Sequence, residues 1–147
     1  MQLPRNNKAF TLIEVLIVIA LLTIILSMVI VAINPVRQFS KANDAKRLSD
    51  VSAIMNAVLQ YTSDNDGQIP SEIGTDYSEI SSDDVDICEL LVPDYLAELP
   101  ADPDNDENIT DCESNYSTGY DIKKDSESNR ISIRAENANL EDIELTR

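Results

Sequence analysis

Hydrophobic positions follow three different patterns along this chain. From Phe10 to Ile33 they are continuous. The run FTLIEVLIVIALLTIILSMVIVAI holds 24 residues with one charge, Glu14, and three hydroxyls, Thr11, Thr23 and Ser27. As a helix it would measure ~36 Å against a hydrocarbon core of about 30 Å. Ile and Val abound in it, yet a lone segment cannot cross lipid as a strand, because its backbone polar groups would go unpaired. A secretory signal peptide is the competing reading. Its apolar region is about 7–15 residues long and a small-x-small site follows. Here the run is longer, and Ile30-Val31-Ala32 is a poor cleavage site. The pattern predicts a membrane-spanning helix.

Asn34-Pro35 interrupts the run. A proline within a helix removes one hydrogen bond and kinks or loosens it. Beyond it the pattern becomes periodic. Ala45, Leu48, Val51, Met55, Val58 and Thr62 advance by three or four, with Ile54 and Leu59 widening the stripe. Arg37, Lys41, Asp44, Lys46, Arg47 and Asp50 fill the remaining face, and Gly67 after Asn65-Asp66 is a stop signal. One helix from about Thr11 to about Ser63 is expected, its second half being the core helix of a small domain.

The third pattern is alternation. Tyr116 to Lys123 alternates loosely and Arg130-Ile131-Ser132-Ile133-Arg134-Ala135 clearly, with a polar turn, Asp125 to Asn129, between them. LEDIELTR at the end is a weaker strand candidate, and Leu90 to Leu96 reads as a helical turn. The expected fold class is α+β, a long N-terminal helix packed against a small antiparallel sheet of three or four strands.

Composition narrows the chemistry. The 147 residues suffice for one domain and not comfortably two. There is no His and no Trp, so the usual proton shuttle and the commonest metal ligand are missing. Two Cys cannot make a four-cysteine zinc site within one chain. Gly67, Gly74 and Gly119 are scattered, so there is no Gly-rich phosphate loop, and no nucleophile-elbow, zincin or Walker sequence occurs. Enzymatic chemistry is not expected.

The formal net charge of -16 is unevenly placed. Residues 1–9 carry two bases, residues 10–61 are near neutral, residues 62–122 hold eighteen acids and no base, and residues 123–147 are mixed. Bases before the apolar run and acids beyond it place the N-terminus in the cytoplasm and the bulk outside. The acidic middle argues against direct nucleic-acid binding, which needs clustered Lys and Arg. A DNA-uptake role would have to use Lys123, Lys124, Arg130 and Arg134 of the hairpin region.

Glu14 sits near the start of the span. At mid-helix a carboxylate would cost on the order of 2–3 kcal/mol, less near an end. It either snorkels to the interface or awaits a cation inside the membrane. Its surroundings are distinctive. Lys8-Ala9-Phe10-Thr11-Leu12-Ile13-Glu14-Val15 resembles the class III signal of type IV pilins and type II secretion pseudopilins. The resemblance implies cleavage by a prepilin peptidase between Ala9 and Phe10 and methylation of the new N-terminus at Phe10. The family usually has Gly where Ala9 stands. Glu14 then falls at the fifth mature position, where the family places its glutamate. The motif covers residues 1–33.

That likeness implies the pilin fold and the following layout: a leader at 1–9, a transmembrane and filament-core helix at 10–33, its amphipathic continuation at 34–63, and an acidic globular head at 64–147. It names a partner for Glu14, the N-terminal ammonium of Phe10 in a neighbouring subunit. Unpaired, each charge would be expensive in lipid or a dry filament core. The implied partners are further copies of the chain in a helical filament, the prepilin peptidase, an inner-membrane assembly platform and the membrane itself. The implied location is the cytoplasmic membrane before assembly and an extracellular or periplasmic filament after it. No pseudopilin-only feature stands out, so within the family the reading leans to a pilin. The alternative from another class is a single-span monomer presenting an acidic domain outside the cytoplasm.

Two features of the head remain. Cys88 and Cys112 lie 24 positions apart beyond the membrane, where paired thiols tend to oxidise. A disulfide is expected, with two free buried thiols as the alternative. No cofactor is required, but the acidic loop can be laid on a calcium template. Counting from Asp102 puts oxygen ligands at Asp102, Asp104, Asp106, the Asn108 carbonyl and Glu113. Position six should be Gly and is Glu107. In so Asp-rich a chain, chance alternation in a solvated loop is the competing reading.

Overall fold

The structure, a computed structural model, describes residues 10–105 and 108–147. It falls into two compact units, the first ending at Gln38 and the second running from Phe39 to Arg147. The expected leader at 1–9, with Ala9 of the expected cleavage site, lies outside the described residues.

In the first unit α1 spans Leu12–Ile33. Thr11 caps it: the backbone there is extended and the side-chain oxygen accepts from the Glu14 amide at 3.3 Å. This satisfies one of the donors a helix start leaves free. The hydroxyls inside the run turn back on the helix, Thr23 onto the Ala20 carbonyl and Ser27 onto the Ile24 carbonyl. No residue of α1 is buried. The helix is long and apolar enough to cross a membrane.

The expected single helix is two. Asn34 adopts a left-handed conformation, φ 46°, and ends α1. The second helix, α2, starts at once, spanning Pro35–Asp64. The physical reason lies in the Asn-Pro pair. A proline disfavours the helical conformation in the residue before it, and it suits the first position of a helix, where its missing N–H costs nothing. The Asn34 side chain accepts from the Arg37 amide at 3.4 Å, as a helix cap does.

In the second unit α2 lays Val51, Ile54, Met55, Ala57 and Val58 into the core. It ends where expected: Gly67, φ 82°, donates its amide to the Thr62 carbonyl at 2.8 Å. The expected stripe is wrong at its N-terminal end, where Ala45 and Leu48 are exposed and Arg47 is fully buried.

The sheet is antiparallel throughout, in the order β1-β2-β3-β4, with β1 at Ser78–Ser81, β2 at Ser117–Lys124, β3 at Ile131–Ala135 and β4 at Ile143–Thr146. The β2–β3 hairpin is the one that the alternation predicts. Asp125 closes it by accepting from the Glu127 and Ser128 amides, and Asn129 supplies the positive φ. Tyr120, Ile122, Ile131 and Ile133 point into the core with Ile54 and Val58 of α2. Each such side chain stabilises the fold by ~1.5–3 kcal/mol. A short helix, α3 at Cys88–Leu91, sits where the helical turn is expected, shifted slightly toward the N-terminus.

Between Glu79 and Ser81 the β1–β2 register slips, and Gly119 lies in the bulge with φ 73°. A side chain there would also meet the Asp102 Cβ at 3.0 Å. The bulge therefore needs glycine for its backbone and lets the acidic loop press directly onto β2.

Candidate functional site

Two arrangements carry chemistry, one in each unit. At the start of α1, Phe10 is 80% exposed and Glu14 is also exposed. Phe10, Glu14, Val15 and Val18 line a shallow recess on the helix surface. The Glu14 amide is used by the Thr11 cap. The start of α1, where the expected methylation and assembly residues Phe10 and Glu14 fall, thus presents an exposed apolar surface with one carboxylate.

The second arrangement centres on Arg47, whose side chain is fully buried yet fully charged. Its Nε donates to Asp102 Oδ2 at 2.7 Å and its Nη2 to Asp102 Oδ1 at 2.8 Å. Nη2 also donates to Asp104 Oδ2 at 2.7 Å, and Nη1 to Asp44 Oδ1 at 3.0 Å. Asp44 in turn accepts from the Asn139 and Leu140 amides, both at 2.9 Å. One guanidinium therefore ties α2 to the acidic loop and to the segment before β4. Next to it Lys46 Nζ donates to the Ala101 carbonyl at 3.0 Å and pairs with Asp50 at 3.5 Å.

Burial alone would push the Asp102 carboxyl up. The Arg47 hydrogen bond, the Asp104 amide and the charges of Arg47 and Lys46 outweigh it and hold the group below its ordinary 3.8. Desolvation acts on Asp44 in the same sense, and the amides of Asn139 and Leu140 together with Arg47 overcome it. The Asp102 hydrogen bond keeps Arg47 more firmly protonated than a free guanidinium, against the effect of burial.

These contacts decide how the calcium template fits. Its first two residues, Asp102 and Asp104, do converge on one cation, and that cation is Arg47. Asp106 lies outside the described residues. The Asn108 side chain is turned onto the Ala101 amide and Glu98, and Glu113 is exposed. Among the described residues no three acidic or thiol groups are gathered as a metal would need. Among the described template residues, Asp102 and Asp104 are taken up by Arg47 rather than left open to a calcium ion.

Two tyrosines also pin carboxylates. Tyr120, buried in β2, donates to Asp50 of α2 at 2.9 Å. Tyr116 donates to Asp86 at 2.7 Å and accepts from the Cys88 amide at 3.3 Å. Burial first, and the adjacent carboxylate second, pushes both phenols up. On the outer face of the sheet Tyr77 lies between Lys123 and Arg134, each 4.2 Å from its ring centre, and Arg134 pairs with Asp121 at 2.8 Å. Two of the four hairpin bases are thus turned onto neighbours.

Cys88 and Cys112 form the expected disulfide, with Cα atoms 5.5 Å apart. It ties α3 to the segment leading into β2. The Arg47 cluster was the part that sequence reasoning missed. The one available signal is that Arg47 lies four residues before Val51 and seven before Ile54, in line with the buried stripe.

Comparison with known proteins places the N-terminal unit first. The family model of the prokaryotic N-terminal methylation motif matches residues 4–32. The chain carries a prepilin-type methylation signal, and the resemblance to type IV pilins and secretion pseudopilins holds. It is also 38% identical over 72 residues to the type II secretion system core protein G of Aeromonas hydrophila, a match covering 49% of each chain. The chain thus matches about half the length of that curated relative. No solved structure matches it.

Proposed function

We propose that the chain is a structural subunit, not an enzyme, of a type IV pilus or pilus-like filament, assembling through α1 after removal of the leader before Phe10. The observation that carries this is a 22-residue apolar helix with no buried residue, bearing Glu14 beside the methylation signal. A simple membrane anchor needs the apolar length but has no use for a carboxylate. In a filament core the carboxylate gains a partner, the Phe10 ammonium of a neighbouring copy, and the pair sets the axial register. The head then forms the outer surface. The similarity to core protein G shifts weight, within the family, from a pilus proper to the filament of a secretion apparatus.

The test is Glu14→Ala in the producing cell. Membrane insertion should persist, since the substitution makes the span more apolar, while filament yield should fall sharply. Normal yield from the variant would refute the role given to Glu14. The single-span monomer remains the second reading, supported by the same apolar helix, and it predicts no filament from the unaltered chain.

A further inference from the structure

We propose that Asn115 is an N-glycosylation site: its side-chain amide accepts an oligosaccharide from a lipid-pyrophosphate donor, and the folded head carries the sugar close to the Cys88–Cys112 bridge. The inference rests on the reading that places the head outside the cytoplasm, where this modification belongs.

Asn115-Tyr116-Ser117 is an Asn-x-Ser sequence with no proline at its centre, the acceptor pattern for this chemistry. So short a pattern recurs by chance, and position decides. Asn115 is exposed, three residues beyond Cys112 and two before the start of β2. Among the described residues nothing hydrogen-bonds its side chain. It lines an open recess together with Thr110 and Ser114. Glu113, also exposed, offers a carboxylate to a basic side chain of the transferase. A second such sequence, Asn108-Ile109-Thr110, is taken up by the fold itself. The Asn108 amide nitrogen donates to Glu98 at 2.6 Å, its oxygen accepts from the Ala101 amide at 3.2 Å, and Ile109 is paired with Leu99. A sugar on that nitrogen would have to displace Glu98, so the folded head carries its sugar at Asn115.

The fold also sets the order of events. In the finished head the Tyr116 amide donates to Ser82 Oγ at 3.3 Å and its carbonyl accepts from the Ser82 amide at 3.1 Å. Ser117 is paired with Ser81 of β1 and donates its hydroxyl to Glu79. A transferase reads that hydroxyl as part of the acceptor pattern, so transfer precedes the docking of β2 on β1. In the transfer the Asn115 amide nitrogen bonds to the anomeric carbon of the donor sugar. The bond from that carbon to the pyrophosphate oxygen breaks, the lipid pyrophosphate leaves with the electron pair, and one amide proton is lost to solvent. The modified side chain then points away from the closed head, since the unmodified one supports nothing in it.

The test is mass spectrometry of peptides from the full chain, isolated from the producing cell without reduction. The peptide holding Asn115 should carry an oligosaccharide that fragments by successive sugar masses, and Asn108 should be unmodified. Asn115→Gln and Ser117→Ala should each lose the sugar, while Ser117→Thr keeps it. The Asn115→Gln chain should still form the Cys88–Cys112 bridge, so that loss of the sugar is not loss of the fold. An unmodified Asn115 in the unaltered chain overturns the proposal. If the bridge is formed in that chain, the head lies outside the cytoplasm and only the modification is wrong; if the thiols are free, the placement of the head fails with it. A sugar on Asn108 alone, or one that survives Ser117→Ala, overturns the proposal as well.

Discussion

Removing a single oxygen from Tyr120 tests how α2 is fastened to the sheet. The ring is wholly buried in β2, and its hydroxyl donates to Asp50 of α2 at 2.9 Å. Tyr120→Phe keeps the ring and opens no cavity, so the change isolates the hydrogen bond. A bond to a charged group contributes ~1.5–3 kcal/mol. Asp50 keeps 14% side-chain exposure and has Lys46 at 3.5 Å, so the carboxylate left behind is not stranded. The low end applies, ~1.5 kcal/mol. For a head of this size that corresponds to a fall in Tm of roughly 6–12 °C. The assay is denaturant unfolding of the full chain in detergent, read from the tyrosine circular dichroism. Asp50→Asn and the double variant complete a thermodynamic cycle, with a coupling of ~1 kcal/mol expected for groups in direct contact. A Tyr120→Phe chain within ~0.5 kcal/mol of the parent would show that the hydroxyl does not hold α2, because surface changes without such a role stay inside that range.

Other outcomes follow from the same contacts. Asp102 and Asp44 titrate below their ordinary 3.8 in the folded head, so as pH falls the unfolded chain takes up protons first. The stability they supply is present above about pH 4 and is lost as pH drops through their folded values. Asp102→Asn should cost ~2–4 kcal/mol at neutral pH, less than a fully broken buried pair because Arg47 retains Asp44 and Asp104, and should flatten the acid limb of stability against pH. An unchanged limb would contradict the Arg47 account. At the other extreme burial, with Glu144 adding to it, pushes the Tyr77 phenol up to about 12, and Tyr116 and Tyr120 are also raised. Their contribution is complete below pH 10 and disappears as pH rises through the folded values. Spectrophotometric titration should therefore show these phenolates appearing together with unfolding, not before it. Reducing the Cys88–Cys112 bridge should lower stability by ~3 kcal/mol, the loop-closure estimate for a loop of this length; no change on reduction would mean that the bridge constrains nothing.

Much of the fold could be read from local pattern, and the rest depended on long-range partners. The apolar run and the Ile131-Ser132-Ile133 alternation specify their elements directly, because period and burial coincide there. The disulfide was legible from compartment and count. The helix stripe failed at Ala45 and Leu48 because the buried position is Arg47, and the group that makes its burial affordable, Asp102, lies 55 residues away. β1, with Ile80 as its one buried apolar side chain, has no strand signature of its own. It exists through pairing with β2 and through Glu79, which accepts from the Gly119 amide at 2.9 Å. The acidic loop shows the same limit from another side. Alternating Asp residues announce that a cation is needed, but not whether it comes from solution or from the chain. At the N-terminus the methylation motif is legible almost whole, since the residues that carry it, 4–32, are contiguous and depend only on order along the chain.

The central claim is that this chain is processed before Phe10 and polymerises through α1. Mass spectrometry of the protein taken from sheared surface or periplasmic filaments addresses it most directly. The account predicts a mature chain that begins with N-methylated Phe10 and is present in the fibres in many copies. A chain that keeps Met1 through Ala9 and is found in the membrane alone, never in a fibre, would contradict it.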